Sequence, residues 1–163
     1  MQIELLHPKT NEVIKIETED LSLEQIETLY KPSAPKSKIL NAIDNLNLPA
    51  EAKAMLSTIA DISIKVGQFA LGIGQKILEL IILFVKKYPN TAAGLVVGAL
   101  IGLLIGSIPV IGWLLGWLII PLTTAMGLAI GFWMDMEDKA LKDKIGSAVE
   151  EMFGAIKNIK VPA

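Results

Sequence analysis

The chain has no cysteine, no arginine and, between Lys87 and Asp135, no charged side chain. Without cysteine there is neither a disulfide frame nor a thiolate metal site, and the redox compartment leaves no trace. All 15 basic residues are lysines. The planar guanidinium fork that grips phosphates and base edges is missing, so no nucleic-acid partner is expected. His7 is the single histidine and precedes Pro8 in a turn-like stretch, a place that suits the surface better than catalysis. No P-loop, dinucleotide fingerprint or His/Glu zinc motif occurs, and acids and hydroxyls are too scattered to pair a nucleophile with a base. The sequence therefore points to no enzyme and no cofactor. Asp135, Glu137 and Asp138 read as charge at a membrane boundary and not as a metal site. Residues 1–20 are strand-like and acidic, which argues against a cleavable secretory signal.

What is present is apolar bulk, unevenly spread. Apolar residues make up 52% of the chain, more than a soluble domain usually carries. Four zones follow from composition: 1–36, 37–88, 89–134 and 135–163.

In zone 1–36, Ile3-Glu4-Leu5-Leu6 and Val13-Ile14-Lys15-Ile16-Glu17 flank the turn residues 7–12 and predict a β-hairpin. Ser22 followed by Gln25 has the spacing of a capping box and opens a short helix to about Tyr30. Residues 31–36 read as a linker by their proline and serine content. The zone is too small to hold a core alone, so it is expected to pack on something else, a neighbouring copy included.

In zone 37–88, Ser37 suits the cap of a short helix. Pro49 suits the first turn of a long one that runs to Tyr88, roughly 60 Å if continuous. Indexed at 100° per residue, Asp61, Lys65, Gln68, Gly72, Gln75, Lys76 and Glu79 fall on one polar seam. Such a seam suits the water-facing side of a bundle helix, a helix in the membrane interface, or the lining of a pore. In the pore reading these seven residues face the lumen.

Zone 89–134 lies within 47 uncharged residues, Tyr88 to Met134, and a spanning helix needs about 20. Pro109 near its centre stops one helix and starts another. Two transmembrane helices, about 90–107 and 110–134, follow. Gly94, Gly98, Gly102 and Gly106 form a stripe at intervals of four. Gly112 and Gly116, then Gly127 and Gly131, repeat the spacing on the second helix. Folding the chain about Pro109 sets Gly106 opposite Gly112 and Gly102 opposite Gly116, the pattern of two backbones in close contact. Tyr88 and Trp133, with Lys86 and Lys87 just outside, mark one membrane interface. Trp113 and Trp117 mark the other. The 20 Leu, Ile, Val and Phe residues between Thr91 and Trp133 favour insertion by something on the order of 6–12 kcal/mol. The tip, Ser107 to Gly112, moves no charge across lipid. In outline the hairpin is similar to the buried hydrophobic hairpin of colicin-type pore-forming domains, a likeness of architecture confined to residues 89–134.

Zone 135–163 is an amphipathic helix with Ala140, Leu141, Ile145, Ala148, Val149, Met152, Phe153, Ile156 and Ile159 on its apolar face, expected to continue from the second membrane helix.

The fold class expected is a mainly α membrane protein. It has a glycine-zippered transmembrane hairpin, a long amphipathic helix before it, an amphipathic C-terminal helix after it and a small N-terminal β-hairpin. The function expected is an oligomeric, membrane-inserting pore or ion channel, of toxin, effector or holin-like type. The alternatives are a structural membrane component or anchor of a larger assembly such as a virion or secretion complex, and a soluble assembly that hides the hairpin until triggered. The partners implied are a lipid bilayer, bacterial inner or target-cell, and further copies of the chain. Both termini fall on one side. The lysines at the open end make that side the cytoplasm unless the chain enters from outside.

Overall fold

The computed structural model describes residues 1–30, 34–88, 93–126 and 139–162. The chain is mostly helical with a small antiparallel sheet, and its elements pack around one continuous apolar core.

The expected N-terminal hairpin forms from β1 (Gln2–Leu6) and β2 (Val13–Glu17), in a register that pairs Ile3 with Ile16 and Leu5 with Ile14. Asn11 closes the turn at φ 59°, a conformation that asparagine tolerates better than most residues. The capping box also forms. The Ser22 amide donates to Gln25 Oε1 at 2.8 Å and the Gln25 amide donates to Ser22 Oγ at 3.2 Å, opening α1 (Leu23–Tyr30). Next, α2 spans Lys36–Asp44 and α3 spans Ala50–Ile59, each entered through an extended proline, Pro35 and Pro49. Ser37 therefore lies inside α2 and caps nothing.

The long helix expected from Pro49 to Tyr88 does not exist. After α3 the chain forms β3 (Ile64–Val66) and β4 (Phe69–Leu71), and only then α4 (Ile73–Lys87). β3 pairs antiparallel with β1, giving a four-stranded sheet in the order β2-β1-β3-β4. The reason is local and tertiary at once. Ile62, Ile64 and Val66 are β-branched, buried, and alternate with exposed Ser63 and Lys65, a period of two and not 3.6. Gly67 takes φ +60° as the first of two turn residues, the place a tight II′ hairpin gives to glycine. A two-stranded hairpin is marginal alone, and β3 supplies a partner for the second edge of β1.

Gly74 fixes how α3 and α4 meet. A Cβ there would lie 1.7 Å from the Ile59 carbonyl oxygen, and the Gly74 amide donates to Ile62 O at 2.9 Å. From that crossing α4 runs through the middle of the molecule, packed by α1, α2, α3, α5 and α8. Ile77, Leu78, Leu80, Ile81 and Phe84 are buried along it.

The apolar zone forms α5 (Ala93–Ser107), α6 (Pro109–Leu115), one 3-10 turn (Gly116–Leu118) and α7 (Ile119–Met126). The C-terminal amphipathic helix is α8 (Lys139–Phe153), followed by a second 3-10 turn at Gly154–Ile156. Leu141, Ile145, Val149 and Phe153 on α8, and Ile156 and Ile159 after it, are buried as their spacing predicts, whereas Ala148 and Met152 are half-buried and Ala140, in the first turn, is exposed.

Candidate functional site

The uncharged hairpin is where this chain departs most from an ordinary soluble domain. Pro109 stands at the first position of α6 and Ile108, extended at φ −123° and ψ 98°, caps it. The turn is tight. The Ile108 amide still closes α5 on Leu104 O at 3.1 Å, and the Gly112 amide closes α6 on Ile108 O at 2.9 Å.

Each helix of the hairpin has one closed face. On α5 the buried residues are Val96, Val97, Ala99, Leu100, Ile101 and Leu104, which turn toward α4, α6 and α8. On α6 and α7 they are Val110, Ile111, Leu114, Leu115, Leu118 and Leu122. The other face of α6–α7 is open. Pro109, Gly116, Ile120, Pro121 and Thr124 are exposed, Ile120 to 76%, and Trp113 and Trp117 are half-buried among them. At 100° per residue Pro109, Trp113, Gly116, Trp117, Ile120 and Thr124 fall within a single stripe about 100° wide. The run Pro109–Met126 is the one span long and apolar enough to cross a bilayer among the described residues, with mean hydropathy 1.6 and a third of it buried. α5 is apolar throughout but shorter, at 15 residues.

The hydroxyls of α7 and the Trp117 indole are already satisfied within the helix. Thr123 Oγ1 donates to Ile119 O at 2.9 Å, Thr124 Oγ1 to Ile120 O at 2.9 Å, and Trp117 Nε1 to Leu114 O at 2.9 Å. A helix in hydrocarbon needs its polar groups bonded in this way.

The glycines behave differently from the expected zipper. Gly94, Gly98 and Gly102 are half-exposed and Gly106 is exposed, so their stripe lies opposite the branched residues that bury α5. Close backbone contact occurs at Gly112 instead, where a Cβ would lie 2.8 Å from Ile105 O, while Gly106 and Gly116 have nothing within 4 Å of that position. The branched side chains win the core because they bury far more apolar area than glycine can. Gly127, Gly131, Trp133, Asp135, Glu137 and Asp138 lie outside the described residues.

The seam is dispersed. Asp61 is exposed after α3 and pairs with Lys36. Lys65 is exposed on β3 opposite Glu4, and Gln68 is exposed in the β3–β4 turn. Gly72 caps α4. Only Gln75, Lys76 and Glu79 belong to one helix. Lys76 is buried with its Nζ 3.9 Å from Glu79 Oε2, and Glu79 Oε1 accepts the Ala34 amide at 3.0 Å. Glu79 ties α4 to the segment before α2, and no continuous polar stripe runs from Asp61 to Glu79.

At the other end, Lys86 and Lys87 are exposed in the last turn of α4, where cations suit the helix dipole. Tyr88 stacks on Phe84 with centroids 6.2 Å apart, and Lys144 Nζ stands 5.7 Å from the Tyr88 ring centre.

One contact joins parts of the chain that sequence spacing keeps apart. The His7 ring meets Trp113 edge-on with centroids 4.9 Å apart, and Lys9 Nζ lies 6.0 Å from the Trp117 ring centre. The β1–β2 turn thus rests on the hairpin near its tip. No periodicity signals it, because the partners lie more than a hundred residues apart.

Compared with protein-family models, curated proteins and solved structures, the chain finds no match, so the hairpin is read on its own chemistry.

Proposed function

We propose that this chain is a membrane-inserting protein that stores an uncharged hairpin against its own helical body and delivers it, tip first, into a lipid bilayer. The observation that carries this reading is the open face of α6–α7. It holds Pro109, Trp113, Gly116, Trp117, Ile120, Pro121 and Thr124 and no charge, on a span of which only a third is buried by the rest of the protein. Water ordinarily selects charge for such a face. The turn can enter lipid without dehydrating an ion, and tryptophans beside it suit a membrane interface.

Of the readings that the sequence opens, the hidden hairpin accounts best for a fully packed inner face. The pore reading draws nothing from the dispersed seam. It rests on what copies do once in the membrane, where the outward glycine stripe of α5 is the surface through which helices associate. Anchor and pore part at that step.

Ile120→Lys tests insertion. The side chain is 76% exposed, so the folded body tolerates the change. In a bilayer the lysine costs about 2.5–3.5 kcal/mol, near a hundredfold in partitioning. Vesicle flotation, with tryptophan quenching by bromine-labelled lipid, is expected to show the wild type bound and quenched and Ile120→Lys far weaker. Equal partitioning of the two, or a wild type that stays in solution, refutes the reading. Dye release from the same vesicles then separates a pore from an anchor.

A further inference from the structure

We infer that the β1–β2 turn is a clasp on the hairpin, and that lifting His7 and Lys9 from Trp113 and Trp117 is the step that frees the hairpin; this rests on the membrane reading above. His7 is built to hold the turn and the hairpin at once. Its Nδ1 accepts the Lys9 amide at 3.2 Å and the Thr10 amide at 3.1 Å, so the ring carries its proton on Nε2 and its orientation is fixed. The His7 amide donates to Glu12 O at 2.8 Å and its carbonyl accepts from the Asn11 amide at 3.0 Å, which closes the loop around it. The residue is 9% exposed and Trp113 packs edge-on against its ring. Lys9 reaches from the same turn to Trp117, one helical turn further along.

The clasp grips the two aromatic residues of the otherwise open stripe, and it is attached to the most firmly hydrogen-bonded part of the sheet, the β1–β2 ladder. Its contacts are edge-to-face and cation–π, each modest on its own. A strap of that strength holds a surface in place and still releases it without unfolding the core. Neither the neighbouring charges nor α6 locks it further. Lys9 and Glu12 lie on the turn, Lys65 on β3 faces Glu4, Asp61 is held by Lys36, and α6 has no ionisable side chain.

The test uses the full chain with and without lipid. Without lipid, amide exchange across residues 108–118 is expected to rise about five- to tenfold in His7→Ala and in His7→Asn, while exchange along α4 stays unchanged. Asparagine keeps an oxygen for the Lys9 and Thr10 amides and loses only the ring on Trp113, so it separates clasp from turn. Exchange at the wild-type rate in His7→Asn overturns the clasp, whatever the membrane result. With vesicles of mixed neutral and anionic lipid, the same variants are expected to insert faster by a similar factor. Lys9→Cys with Trp117→Cys, joined by a cleavable bis-maleimide, is expected to block insertion until the bridge is cut; the chain has no other thiol. Insertion with the bridge intact, at the rate of the cut form, overturns the clasp alone. A wild type and a His7→Asn variant that both open their hairpins yet never bind vesicles overturn the membrane reading instead.

Discussion

Gly74→Ala is the substitution whose sign the structure fixes most firmly. The added Cβ would lie 1.7 Å from Ile59 O, 2.8 Å from the carbonyl carbon and 3.2 Å from the Ile62 amide nitrogen. All three are backbone atoms, two in the last residue of α3 and one just after it, so no rotamer change relieves them. The two helices must separate by roughly 1.5 Å before ordinary contact returns. Separation stretches the 2.9 Å bond from the Gly74 amide to Ile62 O and loosens Ile59, Ile73 and Ile77, all fully buried. Overpacking usually costs about 1–3 kcal/mol, and this case falls at the upper end. Alanine's better helix propensity offsets less than about 1 kcal/mol, since Gly74 is in the first turn of α4. The net loss is about 2–3 kcal/mol, or about 5–10 °C in Tm for a chain of this size. Gly146→Ala is the matched control. Gly146 sits mid-way along α8 with nothing within 4 Å of where a Cβ would stand, so alanine there should stabilise by about 0.5–1 kcal/mol. Urea unfolding followed by far-ultraviolet circular dichroism measures both. A Gly74→Ala protein as stable as the wild type would refute the α3–α4 crossing and with it the placement of β3 and β4 between those helices.

Two further outcomes follow from the same packing. Lys76→Ala removes the ammonium beside a carboxylate whose side chain is 13% exposed, and should cost about 2–3 kcal/mol in urea unfolding; adding Glu79→Gln should recover part of it, because a neutral amide oxygen still accepts from Ala34. Gly112→Ala should cost about 1–2 kcal/mol by pushing Ile105 O away from the hairpin turn, whereas Gly116→Ala, at φ −54° and ψ −33° with free space around it, should be neutral or stabilising in thermal melts.

Elements that depend on neighbours in sequence were legible. The Ser22–Gln25 box, the Pro109 break and the apolar stripe of α8 are each written within one or two helical turns, and each forms as its spacing predicts. What failed was a choice between two periods over residues 60–72. Asp61, Lys65, Gln68 and Gly72 fit a 100° wheel, yet Ile62, Ile64 and Val66 fit a 180° alternation equally well. β1 decides between them, because a strand edge needs partners and β3 provides them. The glycine stripe misled for a related reason. Spacing shows that small residues share a face, but not which face the core will take. On α5 the core takes Val97, Leu100, Ile101 and Leu104. Gly74, where a side chain is truly forbidden, belongs to no stripe at all. The His7–Trp113 contact had no local signal of any kind.

The packed inner face of the hairpin decides what insertion would cost. Val96, Val97, Leu100, Ile101, Leu104, Val110, Ile111, Leu114 and Leu115 are buried against protein in the stored form. Lipid tails are as apolar as leucine, so moving these side chains from core to bilayer is close to neutral. The outer face is different. Ile120, Pro121 and the tryptophans exchange water for hydrocarbon and supply the gain. The cost falls on the body left behind. Ile77, Ile81, Leu141 and Ile145 lose part of their cover once α5 withdraws from α4 and α8. At 100° per residue Lys87 on α4 and Lys142 and Lys144 on α8 flank that face. An apolar stripe edged by lysine suits a helix lying in an anionic membrane interface. On the proposed reading, insertion would be a two-part event, in which the hairpin crosses while α4 and α8 settle flat beneath it. Raising the anionic lipid fraction should then strengthen binding of the wild type and raise the salt needed to release it, because those lysines reach the charged surface. Binding that ignores lipid charge would mean that the body keeps its core closed and the hairpin leaves alone.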